Sequence, residues 1–148
     1  MTVWRPAQDI RVKALGLHWR GNAVLVMDVL DDKGALKGVR PLGGTVEFGE
    51  TWRDTLVREF QEELSVDVTI TGSPHVFENI YWHEGEQGHE IVFLADVAFP
   101  DDAFAGQDEI WFAEDNGVMC RASWRQLGDL ERQSIPLYPD GLMDILKT

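Results

Sequence analysis

Glu59, Glu62 and Glu63 crowd into the stretch REFQEELSV, residues 58–66. On a helix, residues three and four apart are neighbours, so the three carboxylates share an arc of about 100°. Like charges at those spacings repel by a few tenths of a kcal/mol per pair. One reading is an ordinary solvated acidic face. The other is a cation site: carboxylate oxygens are hard donors, suited to Mg²⁺ or Mn²⁺ rather than Zn²⁺, and Mg²⁺ keeps waters and takes substrate phosphates as further ligands. The second reading gains weight because the acidic stripe borders an apolar arc directly, with Glu63 nearest to it. Repulsion costs more where water is partly excluded, unless a cation offsets it.

The segment that must position these carboxylates is a helix over residues 51–64. At about 100° per residue, Leu56, Val57, Phe60 and Leu64 form its apolar arc. Thr51 or Glu50 can begin it, and acidic residues near the start suit the helix dipole. Ahead of it runs PLGGTVEFG, which has neither the Gly-Lys-Ser/Thr of a Walker loop nor GxGxxG spacing. Alone, Gly43–Gly44 reads as a tight turn.

Around this unit lie strand patterns. Residues 9–19 read as one strand, and AVLVMDVL (23–30) as a buried one after the turn RGN. DDKG (31–34) is a hairpin turn, and a short strand leads from it to Pro41. VDVTITGS and HVFENIYW read as strands broken at 72–74, HEGEQGH (83–89) as a polar loop, and EIVFLADVAF (90–99) as a further strand. A loop over 100–109, strands near 110–113 and 118–124 separated by the turn EDNG, and short helices in LGDLERQ and PDGLMDILK complete the chain. Strands on both sides of one long helix indicate an α/β class.

A chain of 148 residues without internal repeats is expected to form a single domain, 1–148. Its formal net charge of −13 argues against sequence-independent binding to a nucleic acid polymer or an anionic membrane, which need clustered Lys and Arg. It leaves room for a small anionic substrate if cations reverse the sign locally. Cys120 is the lone cysteine, which excludes an intrachain disulfide and suits a reducing compartment. No apolar run marks a signal peptide or a membrane span, so a cytoplasmic location is expected.

The residues from 44 to 66 resemble the Nudix box. Gly44 is followed after five residues by Glu50, and seven residues later come Arg58, Glu59, Phe60, Gln61, Glu62, Glu63, Leu64, Ser65 and Val66. Every motif position agrees except Ser65, where the family has Gly to end the helix in a left-handed conformation. WRQLGDL (124–130) resembles the tryptophan-led segment near the end of such domains. The resemblance implies a Nudix-type α/β/α sandwich with a mixed β-sheet between helices. It also implies a Mg²⁺- or Mn²⁺-dependent hydrolase cleaving the phosphoanhydride bond of a nucleoside diphosphate linked to another group. The alternative within the same fold is a non-catalytic nucleotide-binding or regulatory module, which the intact Arg58, Glu59, Glu62 and Glu63 disfavour. A homodimer is compatible with the resemblance.

Residue by residue, the resemblance implies that Glu59, Glu62 and Glu63 ligate divalent cations with help from the Gly44 carbonyl. Glu50 and Arg58 would brace the loop against the helix, and Glu47 would assist at a commonly acidic loop position. Glu62 or Glu63 is the first choice of general base. Glu109 and Glu114 are candidates for a recruited acid, since Arg121 occupies the place where the family often has one. For the substrate, Arg40 is the best-placed phosphate partner, ahead of Arg20 and Lys37. Tyr81 stands about 16 residues beyond Ser65, a spacing seen in some dinucleoside-polyphosphate hydrolases. The proline found near there in ADP-ribose hydrolases is absent. Trp19, Trp82, Trp111 and Phe112 read as stacking residues or, more often, core. His83 and His89, flanking the 83–89 loop, read as ligand contacts or, more often, as exposed residues.

Overall fold

Along Ala23–Leu30, alternate side chains enter different cores: Leu25 and Met27 on one side, Val24 and Val26 on the other. That alternation makes this strand a central layer. The structure, a computed structural model, describes residues 3–114 and 116–147. Asp115, within the expected EDNG turn, and Met1, Thr2 and Thr148 lie outside the described residues.

The chain begins with β1 (Ile10–Leu17), β2 (Trp19–Arg20), β3 (Ala23–Leu30), β4 (Leu36–Arg40) and β5 (Leu42–Thr45). The long helix α1 (Trp52–Leu64) follows, then β6 (Thr69–Ile70), β7 (His75–His83) and β8 (Glu86–Ala98). β9 (Glu109–Ala113), β10 (Met119–Gln126), α2 (Leu127–Arg132) and α3 (Leu142–Leu146) complete it.

Two five-stranded sheets result. The first runs β5-β1-β8-β6 with β7 beside β8, and is mixed because β1 and β8 are parallel while the other pairs are antiparallel. The second, wholly antiparallel, runs β2-β3-β10-β9 with β4 on β3. α1 sends Leu56, Phe60 and Leu64 against Ala14, Leu25, Met27 and Leu42. On the opposite side Leu130 of α2 and Leu142 of α3 pack with Leu15, Leu17, Val24, Val26 and Val92. Each such fully buried side chain contributes about 1.5–3 kcal/mol. Helices therefore flank strands on both faces, the α/β/α arrangement expected. Among the described residues no helix is long and apolar enough to cross a membrane.

Three local expectations are corrected. Gly43 and Gly44 lie not in a tight turn but in β5, paired with β1. A Cβ on Gly43 would strike the Ala14 carbonyl and one on Gly44 the Glu59 carboxylate, so both positions serve close approach. On α1, Val57 is 39% exposed, and Thr55 takes the buried place expected of it. The 83–89 loop shrinks to the turn Glu84–Gly85, both with positive φ (47° and 87°), joining β7 and β8 in a long hairpin.

Candidate active site

The site is organised by a helix pinned at both ends. Thr51 caps α1, its hydroxyl accepting from the Asp54 amide at 3.1 Å. At the other end Ser65 takes the left-handed conformation (φ 56°, ψ 36°) that the family gives to glycine, and its amide donates to the Gln61 carbonyl. A non-glycine residue there costs about 1 kcal/mol, which the capping bond helps to offset. The helix thus ends where the Nudix pattern ends it.

Arg58 is the hub. Its Nε donates to Glu50 Oε2 at 2.7 Å and its Nη2 to Glu50 Oε1 at 3.0 Å, a two-pronged grip. Nη1 donates to Glu59 Oε1 at 2.9 Å and to Glu62 Oε2 at 3.3 Å, while Nη2 also reaches the Thr45 carbonyl at 3.4 Å. Glu47, largely exposed, lies 4.0 Å from the same guanidinium. Glu50 is held further by the Thr55 hydroxyl at 2.6 Å and by the Glu47 amide at 3.3 Å. Arg58, then Thr55, pull the Glu50 carboxyl down to about 2. Arg58 is raised well above its ordinary value, chiefly by Glu50. One arginine therefore ties strand β5, the loop and the helix into a single unit.

Beside this hub, Glu63 meets Glu59 one turn away. Burial first, then a hydrogen bond and charge contact with Glu59, push the Glu63 carboxyl up to about 8. Arg40 opposes that rise and Glu114 adds to it. Glu63, so close to another carboxylate and partly out of water, keeps its proton at neutral pH unless a cation replaces it. The donor chemistry fits a hard, partly hydrated divalent cation. Among the described residues no three His, Cys, Asp or Glu side chains are already gathered into a cage. Glu62 is exposed and turned toward Arg58, an ion pair of the kind worth little in water. Gly44 faces the Glu59 carboxylate across a gap too narrow for any side chain.

The sheets bring some distant residues to this cluster and take others away. Arg40 acts electrostatically on Glu63, Lys13, Tyr81 and Cys120. The Tyr81 hydroxyl is pushed up to about 12 by burial and Glu90, to which it hydrogen-bonds. Of the two recruited-acid candidates, Glu114 acts electrostatically on Glu63. Glu109 instead lies 3.6 Å from Arg121, whose Nε donates to Asp28 at 2.9 Å. Strand alternation explains the split: Ile110 and Phe112 enter the core under α1, leaving Glu109 and Trp111 on the other face.

Several candidates have structural partners. Arg20 lies 3.4 Å over the Trp124 ring and donates to the Gln107 and Phe104 carbonyls, so it is no free phosphate partner. Lys37 pairs with His83 Nδ1 at 3.2 Å, and His83 is buried rather than exposed. His89 is half-buried, 3.5 Å from Glu78. Trp19 donates to Asp96, Trp82 and Trp111 are exposed, and Phe112 is core. Sequence reasoning missed Thr55 and Lys13. The signal for Lys13 was a lysine inside the apolar strand IRVKALGL.

No curated protein matches the chain. Solved structures do. A NUDIX hydrolase from Nitrosomonas europaea aligns over 93% of this chain and 86% of its own, at 16% identity and TM-score 0.61. A MutT NUDIX hydrolase from Burkholderia pseudomallei aligns over 94% and 96%, at 19% identity and TM-score 0.56. The E. coli ORF135 protein aligns over 93% and 86%, at 19% identity and TM-score 0.56. These likenesses are of fold. The family model described as NUDIX domain matches residues 12–140, from β1 through α2 with the box between them, and the chain belongs to that family.

Proposed function

We propose that the protein is a Mg²⁺- or Mn²⁺-dependent pyrophosphohydrolase acting on a small nucleoside diphosphate linked to another group. The observation that carries this reading is the Glu59–Glu63 carboxyl pair, half-buried and pressed together beside an arginine already committed to Glu50. A folded helix that keeps such a pair has a use for a cation there.

Glu59, Glu62 and Glu63, with the backbone of Gly44, would hold the cation. When bound, it supplies charge neutralisation for the phosphates and a lowered pKa for attacking water. Glu62 or Glu63 would take the proton from that water, and Glu114 is a further acid whose charge acts on Glu63. Arg58 and Glu50 position the loop and the helix. Arg40, Tyr81 and Glu47 bind the substrate, Arg40 by charge and Tyr81 through its hydroxyl. We read residues 1–148 as one such domain of a cytoplasmic protein, with neither nucleic acid polymer nor membrane as partner.

The test is a panel of nucleoside triphosphates, ADP-ribose, dinucleoside polyphosphates and nucleotide sugars, each with Mg²⁺ or Mn²⁺. Release of phosphate, pyrophosphate or nucleoside monophosphate from at least one member is expected, and chelation abolishes it. Tight binding of one member with no turnover across the panel would favour the non-catalytic nucleotide-binding module instead.

A further inference from the structure

β7 is a nine-residue strand at the edge of the first sheet. It pairs with β8 alone, in unbroken register from His75↔Leu94 to His83↔Glu86, and among the described residues no strand lies on its other side. An open edge is a row of unpaired amides and carbonyls, and proteins that stay apart blunt it with lysine, proline, a bulge or short length. HVFENIYWH has no lysine, arginine or proline, and its ladder has no bulge. The other edges are shorter or guarded: β2 and β6 have two residues each, β5 four and β9 five, and β4 carries Lys37 and Arg40. One face of β7 is apolar as well. Val76, Ile80 and Trp82 alternate along it and are 50%, 56% and 67% exposed. Ile10, 60% exposed, continues the row across the sheet, since Ile10 pairs with His89 and His89 with Ile80. α1 covers the other end of this face, where Ala14 enters the core and Trp52 stacks on Phe93. Contiguous apolar patches beyond a few hundred Å² are rare on proteins that remain monomers.

We propose that β7 is the seam of a two-fold homodimer, with the first sheet running on antiparallel from one copy into the other. The strand fits itself. With the two-fold axis at its middle residue, Asn79, Val76 meets the partner's Trp82 and Glu78 meets the partner's Ile80. Apolar side chains then lie across the seam from one another, and the two Glu78 carboxylates are not directly opposed. A second copy brings the same formal net charge of −13, so the seam must be poor in acids. β7 carries Glu78 alone, 3.5 Å from His89. An isologous contact of this kind uses up both β7 edges and closes at two copies. The inference stands apart from the hydrolase reading, since Val76, Ile80, Trp82 and Ile10 take no part in the carboxylate site.

Sedimentation velocity over about a hundredfold range of concentration follows wild type, Ile80→Lys and Trp82→Lys. Trp111→Lys, which changes an exposed tryptophan of the other sheet, is the control. Wild type sediments as a dimer at the upper end, and each β7 variant raises the dimer Kd at least about tenfold while the control does not. Amide exchange gives a second reading on the wild type alone. Exchange across residues 75–83 slows at least about tenfold between dilute and concentrated protein, a change that the monomer's own fold does not produce. A monomer at every concentration overturns the seam and leaves the edge to a strand of another protein. A dimer that neither β7 variant weakens, an equal loss in the control, or growth past two copies overturns it too. If the β7 variants do not fold, wild-type exchange decides: rates within 75–83 that ignore concentration sink the proposal.

Discussion

Arg58 holds Glu50 by two hydrogen bonds at once, Nε to Oε2 at 2.7 Å and Nη2 to Oε1 at 3.0 Å. Lysine offers a point charge and cannot make both bonds, so Arg58→Lys should leave the helix intact but let the loop drift. Misplacement on the order of 1 Å costs about 10²-fold in rate, and that is the expected loss in kcat. Circular dichroism should be unchanged. A wild-type kcat in this variant would remove the positioning role.

Glu63→Gln keeps the shape of the side chain and removes its charge. Turnover at saturating Mg²⁺ should fall about 10²-fold or more. In the wild type, Mg²⁺ at about 100 times its Kd should add about 2.7 kcal/mol of stability by mass action, and the variant should lose most of that gain. Thermal melts with and without Mg²⁺ read the second effect without any substrate. Identical melts for both proteins would place the cation elsewhere.

At Gly44 a Cβ would overlap the Glu59 carboxylate, while the backbone there is not left-handed. The cost of Gly44→Ala is therefore overpacking alone, about 1–3 kcal/mol. Adding Glu59→Ala should remove the overlap and return part of that stability, a coupling that a double-mutant cycle measures by urea unfolding. Strict additivity of the two losses would mean that the strand and the helix do not press on each other here.

His18 accepts a hydrogen bond from the Trp124 indole at Nδ1, 3.0 Å away, and its ring stacks on Phe99 at 3.8 Å. Burial, then Arg20, hold its pKa below the ordinary 6.5. Below that ordinary value the unfolded chain binds a proton that the folded one refuses, so stability falls as pH drops from about 7 toward 5. A single group contributes at most about 1.4 kcal/mol per pH unit. His83, depressed chiefly by burial, adds a slope of the same sign. His18→Gln should therefore flatten the pH profile in part, as followed by urea titrations across that range. An unchanged slope would show that His18 protonates freely in the fold.

The helix and its carboxylates were legible because they depend on near neighbours. Spacings of three and four residues place Glu59, Glu62 and Glu63 together on any helix, and Thr51 and Ser65 bound that helix through bonds within one turn. The run AVLVMDVL was equally plain, since a strand buried on both faces leaves a continuous apolar pattern. The glycines misled because their role is set by partners distant in the chain. Gly43 lies against Ala14, and Gly44 against Glu59. The 83–89 segment misled because its polar residues sit on a two-residue turn within a ladder they do not themselves announce.

By itself the sequence determined the long helix and its acidic arc, which follow from spacing along the chain, and its resemblance to the Nudix box implied the family and the Glu50–Arg58 brace. Only the tertiary structure decided which distant side chains reach that arc. Parallel pairing of β1 with β8 and antiparallel pairing of β9 with β10 set which face each side chain takes. Glu114 thereby comes to act on Glu63 while Glu109 goes to Arg121, and Lys37 pairs with His83. A slip of one residue in any of those ladders would send the side chains to the opposite face, and no local pattern in the chain records that choice.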